Sequence, residues 1–413
     1  MNLLELLFRL SSMRGCANLK TASGSPRWAD RDNTMLYAPR ENQMTHRIPG
    51  FLLAVVISLS IHLGEALADN RSINQTEIGV STALTGNMAP FGVDIKNALI
   101  LANDLYGRGR YRLTFEDDQC DNRQAVGIAH KFSDVDGIKY ILGHACNGTL
   151  IASIPIYRRA GSLVLSSFAT TGDIRDVGDK SFRLFPPDQI GAVRLFDYVL
   201  GRFKKIAFFT SQDDYTELME RWFRKTVEDR HSSISIVSDS LKRGESDFRS
   251  VLGRLKNSEP DLLVLNVNGE TDFITAVKQA RAIGIKCPLT GFYLPASEAT
   301  IKALGSMIEG MKFINLPLLE NTLSAEGKRV FDEFHRRFGA PQSIQLGVAL
   351  TVDTFRILDL ALSSGMPPEQ YLRSRTHDSL IGPISFDETG EVKGIPFQVQ
   401  KIESGKVVVL EKQ

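Results

Sequence analysis

Several things are scarce in this chain. Across 413 residues there are four cysteines, two tryptophans and seven histidines, and Lys plus Arg (49) exceed Asp plus Glu (48) by one. A balance so close to neutral argues against nucleic acid as a partner, because phosphate binding needs a concentrated basic surface. The histidines are scattered, no two of them at metal-ligand spacing on one helix, and no metal or cofactor is expected. Neither a G-x-S-x-G elbow, a phosphate-binding P-loop nor a G-x-G-x-x-G turn occurs, so the common signatures of an enzyme are missing. There is no solenoid-period repeat and no low-complexity run. Long apolar stretches are also missing: the longest candidate, from Ile48 to Leu63, is 16 residues broken by Pro, Ser and His, short of the ~20 needed to span a bilayer.

That apolar run is informative in its setting. It begins just after Met44 and Arg47 and ends at "ALA", Ala66–Ala68. A charged start, a short apolar stretch and an A-x-A site are the three parts of a secretory signal peptide. Residues 44–68 are therefore expected to be a signal cleaved near Ala68, and residues 1–43 a non-native extension. The product is expected in the periplasm as a monomer. A retained membrane anchor is the alternative.

Export changes how cysteine is read, since thiols outside the cytosol can stay oxidised. Cys120 and Cys146 each follow a strand-like run, "YRLTFED" and "KYILG". On neighbouring parallel strands both would lie at the carboxyl edge of the sheet, where a bridge is feasible. A metal site with His130 and His144, or two free thiols, are the competing readings. Cys287 has no evident partner and reads as a core thiol.

From Glu77 onward, short apolar runs alternate with helical patterns. "EIGVSTA" is followed by a helix placing Phe91, Ile95, Ala98, Leu99, Ala102 and Leu105 on one face. After "YRLTFED" a helix capped by Asp121 or Asn122 turns Ala125, Ala129 and Phe132 inward. After "SFRLFPPDQ" the β-α pattern restarts at "KKIAFFTS", and long helices are expected over 325–338 and 345–363. "DETG" and "ESGK" mark hairpin turns near the C-terminus. The predicted fold is α/β, with two doubly wound parallel-sheet lobes joined by crossings and a ligand cleft between them. The loops at the strand ends ("HACNGT", "SSFATTG", "TSQDDY", "NVNGE", "GFYLPAS") are rich in hydroxyls, amides and aromatics. Several open helices, whose N-terminal N–H groups favour an anion.

The motifs "EDDQCDNRQAV", "YILGHACNGT", "QARAIG" and "IGPISFDETGEVKG" together resemble the periplasmic leucine/isoleucine/valine-binding proteins, the capture components of ABC importers. The likeness runs from Glu77 to Leu410. It implies a Cys120–Cys146 disulfide, three crossings (near Leu184–Pro187, Asn315–Leu318 and Lys393–Phe397), closure around a solute and recognition by a membrane permease. Lobe 1 is then 76–185 with 318–394, and lobe 2 is 186–317 with 395–413. The resemblance assigns Asn147, Thr149, Phe168 and Thr170 to the ligand carboxylate, Phe91 to its side chain, and Tyr215, Gly269 and Tyr293 to the opposite wall. Asn147 stands where a serine is usual and Phe91 where a tyrosine is, and two further departures matter more: Gly269 replaces a tyrosine, and Tyr293 an acid that holds the ligand's ammonium group. Glu270, Asp272 and Asp214 are the substitutes to test. The expected solute is a branched-chain or other apolar amino acid. A carboxylate without the amino group, such as an aromatic acid, is the alternative, and a soluble periplasmic sensor module is the other role compatible with the fold.

Overall fold

The computed structural model describes residues 75–170, 180–242 and 245–410. The signal-peptide and extension assignments, residues 1–68, lie outside them.

Strands β1 (Thr76–Thr82), β2 (Tyr111–Asp117), β3 (Tyr140–Gly143), β4 (Leu163–Ser166) and β5 (Ser181–Arg183) form one sheet in the order β2-β1-β3-β4-β5. All of its pairings are parallel. A parallel sheet is covered on both faces, so alternate residues of a strand enter different cores. Leu142 and Leu165 join one core with Ile95, Leu99 and Leu350, while Ile141 and Val164 join another with Phe132, Ile154 and Tyr157. The helices Ala89–Ala102 and Gln345–Ser363 pack together in the first, and Asn122–His130 and Asn147–Ala160 in the second.

Strands β6 (Lys205–Ser211), β7 (Ser235–Leu241), β8 (Leu262–Asn266) and β9 (Leu289–Gly291) form a second parallel sheet, β7-β6-β8-β9. Here Ile206, Phe208 and Val264 face the helices Asp188–Val199 and Asp214–Asp229, and Ala207, Phe209 and Leu265 the opposite core. β10 (Lys312–Asn315) touches this sheet through one parallel bridge, Ile314 to Phe292, and otherwise pairs antiparallel with a later strand.

The C-terminal part is built of hairpins, as the turn signals predict. β11 (His377–Ser379), β12 (Gly382–Phe386) and β13 (Val392–Lys393) form one antiparallel set, and β14 (Gln398–Glu403) and β15 (Lys406–Val409) pair beside β10. Ser404 and Gly405 have φ of 52° and 69°, the double left-handed turn that suits a two-residue hairpin. In "DETG" the Asp387 carboxylate takes the N–H groups of Thr389 and Glu391, 3.0 Å each, and closes the turn.

The chain leaves the first sheet after Arg183 and starts the helix packed on the second at Asp188. It returns between Asn315 and Gln345, and leaves again between Lys393 and Gln398. The predicted long helices fall at Ala325–Phe338 and Gln345–Ser363. One local expectation fails: Leu105 is 41% exposed. It lies in a π-helical turn, Asn103–Gly107, that follows the helix and carries it out of the inward face.

Candidate functional site

The predicted carboxylate side is assembled at the carboxyl edge of the first sheet, where α/β folds place ligands. After β3 the chain runs through Cys146 into the helix Asn147–Ala160, and after β4 through Phe168 to Thr170. Asn147 holds these loops together: its side-chain oxygen accepts from the Thr170 N–H at 2.7 Å and its amide donates to Thr170 Oγ1 at 3.3 Å. Thr149 is fully buried, with its hydroxyl donating inward to the Cys146 carbonyl at 2.8 Å. What this turn presents to an anion is the helix N-terminus, whose first N–H groups have no partner within the helix.

Cys120 and Cys146 are joined as a disulfide, with Cα atoms 5.7 Å apart, which removes the metal and free-thiol readings for that pair. Beneath it lies a network that sequence reasoning missed. Asp118 and His144 are wholly buried, with His144 Nδ1 2.8 Å from Asp118 Oδ2 and Nε2 3.2 Å from the Tyr157 hydroxyl. Ser81 donates to Asp118 Oδ2 at 3.0 Å, and the Cys120 N–H to Oδ1 at 3.0 Å. Burial, reinforced by the Asp118 charge, pushes the Tyr157 phenol well above its ordinary range, so it stays a neutral hydroxyl. Asp118 and His144 were visible in "EDDQC" and "GHAC" as polar residues bracketing the cysteines. Cys287 is half-buried against the second sheet's core, short of the enclosed thiol expected.

An aromatic string leads from this edge to the crossings. Phe91 meets Phe168 edge-on at 5.6 Å, Phe168 stacks on Phe185 at 5.9 Å, and Tyr293 lies 6.5 Å from Phe185 and 6.0 Å from Phe397. Phe168 is only 7% exposed and closely seated: a Cβ on Gly347 would approach its Cζ to 2.3 Å. Its ring is thus chiefly packing, whereas Phe91 is half-buried.

Of the residues expected on the opposite wall, Tyr215 lies in the first turn of the helix Asp214–Asp229, capped by Asp213, which accepts from the Tyr215 and Thr216 N–H groups at 3.1 Å. Gly269 lies in the neighbouring loop, where Asn268 bonds Ser211 and Asp213. Its φ of +153° is one that L side chains rarely adopt, so the tyrosine of the resemblance has no counterpart there. Tyr293 is the centre of a γ-turn, φ 50° and ψ −57°, closed by the Leu294 N–H donating to the Phe292 carbonyl at 2.5 Å. This backbone is costly for a non-glycine residue, and such strain tends to concentrate at functional sites.

The Tyr293 hydroxyl donates to Asp188 Oδ1 at 3.3 Å. Asp188 was not among the predicted residues. It is wholly buried at the start of its helix, and its N–H donates to the Thr170 carbonyl at 3.0 Å. Its second oxygen, Oδ2, has no hydrogen-bond partner among the described residues. Burial pushes the carboxyl up to about 7, against the opposing influence of the Thr170 hydroxyl, the Arg183 charge and the Tyr293 hydroxyl. The same charge helps raise Tyr215 and Tyr293 well above the phenol range. The signal in the sequence was an acid in "PPDQ", directly after the first crossing.

The substitutes named from sequence fare differently. Glu270 already accepts from the Ser297 and Thr300 hydroxyls. Asp272 is pushed up by burial and by the Asp213 charge. The Asp214 side chain lies outside what the structure describes.

Two parallel sheets are thus joined by three passages of chain, with Phe185, Tyr293 and Phe397 in a string of ring contacts beside them. Residues 75–370 match the model of the periplasmic binding protein family, and the chain belongs to that family. It is 26% identical over 360 residues to the Leu/Ile/Val-binding protein of Escherichia coli (strain K12), covering 84% of this chain and 95% of that one. To the Leu/Ile/Val/Thr-binding protein of Salmonella typhimurium it is 27% identical over 362 residues, with the same coverage. Among solved structures, the leucine-binding protein LivK of Thermotoga maritima superposes with a TM-score of 0.70 at 17% identity, over 81% of this chain and 98% of that chain. A solute-binding protein of an ABC transporter from R. palustris, in complex with benzoate, gives 0.69 at 19% identity, over 81% and 95%. Among the described residues no helix is long and apolar enough to cross a membrane.

Proposed function

We propose that this protein is the periplasmic solute-binding component of an ABC importer, and that it captures a small carboxylate-bearing solute by closing two lobes around it. The observation that carries the reading is the cradle at the first sheet's edge. There a helix N-terminus, the Asn147 amide and Thr170 are fixed to one another, and Thr170 is linked through Asp188 to Tyr293. The lobes are 76–185 with 318–394, and 186–317 with 395–413, moving about the three passages of chain. Phe91, Asn147, Thr149, Phe168 and Thr170 form the first wall, and Tyr215, Gly269 and Tyr293 the second. The names of the curated relatives favour branched-chain amino acids. A second reading, an aromatic carboxylate, draws on the Phe91–Phe168 edge contact and on the benzoate complex.

The test is a thermal-shift screen of protein recovered from the periplasm after expression of the full chain. Amino acids, their oxo-acids and aromatic carboxylates are compared. A true ligand at 100 times its dissociation constant contributes about 2.7 kcal/mol, a visible shift. Absence of a shift with every carboxylate would sink the proposal. N-terminal sequencing of the same sample checks cleavage near Ala68.

A further inference from the structure

Thr170 stands between two features of opposite chemical taste. On one side it is bonded through its N–H and hydroxyl to Asn147, at the start of the helix that suits an anion. On the other its carbonyl accepts from the Asp188 N–H, and its hydroxyl lies beside the Asp188 carboxylate. An α-amino acid carries an anion and a cation on a single carbon. A donor cradle and a buried acid sharing one threonine match that spacing.

We propose that the Asp188 carboxylate receives the ammonium group of the solute, so that this cleft selects an amino acid over the same acid without its amino group. The inference rests on the reading of the cleft as a carboxylate site and names the class of carboxylate. Oδ2 is wholly buried with no hydrogen-bond partner among the described residues, and a buried charged oxygen left in that state is unfavourable. The Arg183 charge acts on Asp188, but its guanidinium is held by Glu391 through two nitrogens, Nε donating to Oε2 at 2.8 Å and Nη2 to Oε1. The other ionisable groups acting on Asp188, Tyr215 and Tyr293, are phenols held neutral by burial. Tyr293 occupies the place of the family's acid and donates its hydroxyl to Asp188 Oδ1. The tyrosine thus orients the acid that takes over the charge. A solute without an ammonium group would leave Oδ2 unsatisfied and would set its own carboxylate near another.

The test compares L-leucine with 4-methylpentanoate, the same skeleton without the amino group, by titration calorimetry on the wild type and on Asp188→Asn. Truncating one partner of a buried charge pair is expected to weaken leucine roughly 30-fold or more, with 4-methylpentanoate unchanged or tighter. In the wild type, leucine is also expected to release protons near pH 7. An arriving cation lowers the affinity of a partly protonated carboxyl for its proton, and titrations in phosphate and Tris reveal this as a heat difference. Leucine binding within about threefold of wild type in Asp188→Asn overturns the proposal. So does equal affinity of the wild type for the two solutes. If the variant does not fold, the wild-type proton count decides, and no release with leucine overturns it. A wild type that binds 4-methylpentanoate or benzoate but no amino acid also overturns it, while the carboxylate-capture reading stands. Binding of none of these removes both.

Discussion

Asp118 and Asp188 are both wholly buried, and both sit just past a strand of the first sheet. Their surroundings are opposite. Asp118 is enclosed by the Ser81 hydroxyl, the Cys120 N–H and His144 Nδ1, so both oxygens are engaged. Asp188 has the Thr170 hydroxyl beside it, a contact of 3.3 Å from Tyr293, and one oxygen, Oδ2, with no hydrogen-bond partner among the described residues. A buried polar group that is fully bonded specifies one structure, while one left short of partners keeps a capacity for something else. On the proposed reading, Asp118 braces the cradle and Asp188 is held ready within it.

Neutralising each acid should therefore act on stability in opposite directions. Asp118→Asn breaks a closed network and is expected to cost about 2–3 kcal/mol. Asp188→Asn removes a charge that folding buries. Its carboxyl is raised to about 7 from an ordinary value near 3.8. Both states are protonated below pH 4; between pH 4 and 7 only the folded state keeps the proton; above pH 7 the full penalty applies. Relative to wild type, the variant should gain stability as pH rises from 4 to 7, by an amount bounded above by about 4 kcal/mol. Urea unfolding of the unliganded proteins at pH 4.5 and 8 reads this difference, and a loss of stability in both variants at pH 8 would erase the comparison.

The brace should also be more sensitive to covalent change. Closing a loop across the 26-residue separation of Cys120 and Cys146 is worth about 3.5 kcal/mol in the chain-entropy account. Reduction, or replacement of both cysteines by serine, is expected to lower the midpoint of urea unfolding accordingly.

Much of this architecture was legible beforehand because it is local. The β-α alternation, the helices at 325–338 and 345–363, the hairpin turns and the cysteine pair each follow from spacing within a few tens of residues. Asp188 was not legible. "PPDQ" reads as an ordinary helix start, and only the docking of that helix under Thr170, Tyr215 and Tyr293 buries the carboxylate. Thr149 was assigned to the ligand carboxylate by the resemblance, and the inward turn of its hydroxyl onto the Cys146 carbonyl is a detail no sequence pattern carries. Leu105 was misplaced by one residue's worth of extra turn, a detail that periodicity averages away.

The packing behind the cradle gives a third way to separate support from binding. Gly347→Ala would drive a methyl into the Phe168 ring, which is held between Phe91 and Phe185 and cannot swing aside. Overpacking of this kind costs about 1–3 kcal/mol. Because the displaced ring lies two residues before Thr170, ligand affinity should fall along with the melting temperature.

The smallest change aims at the cradle alone. Asn147→Ala removes the acceptor for the Thr170 N–H and the donor to its hydroxyl, at a cost of about 1 kcal/mol in stability. The disulfide and the Asp118 network, anchored on other atoms, remain to hold the loop's ends. Thr170 would then be freed on the side that faces the anion while still tied to Asp188 on the other. Affinity for leucine and for 4-methylpentanoate should fall together, by a similar factor, because both present the same carboxylate. That pattern is the complement of Asp188→Asn, which should separate the two solutes. If Asn147→Ala discriminates between them as strongly, the donor cradle and the buried acid are not distinct parts of the site, and the contrast between its two buried acids loses its functional meaning.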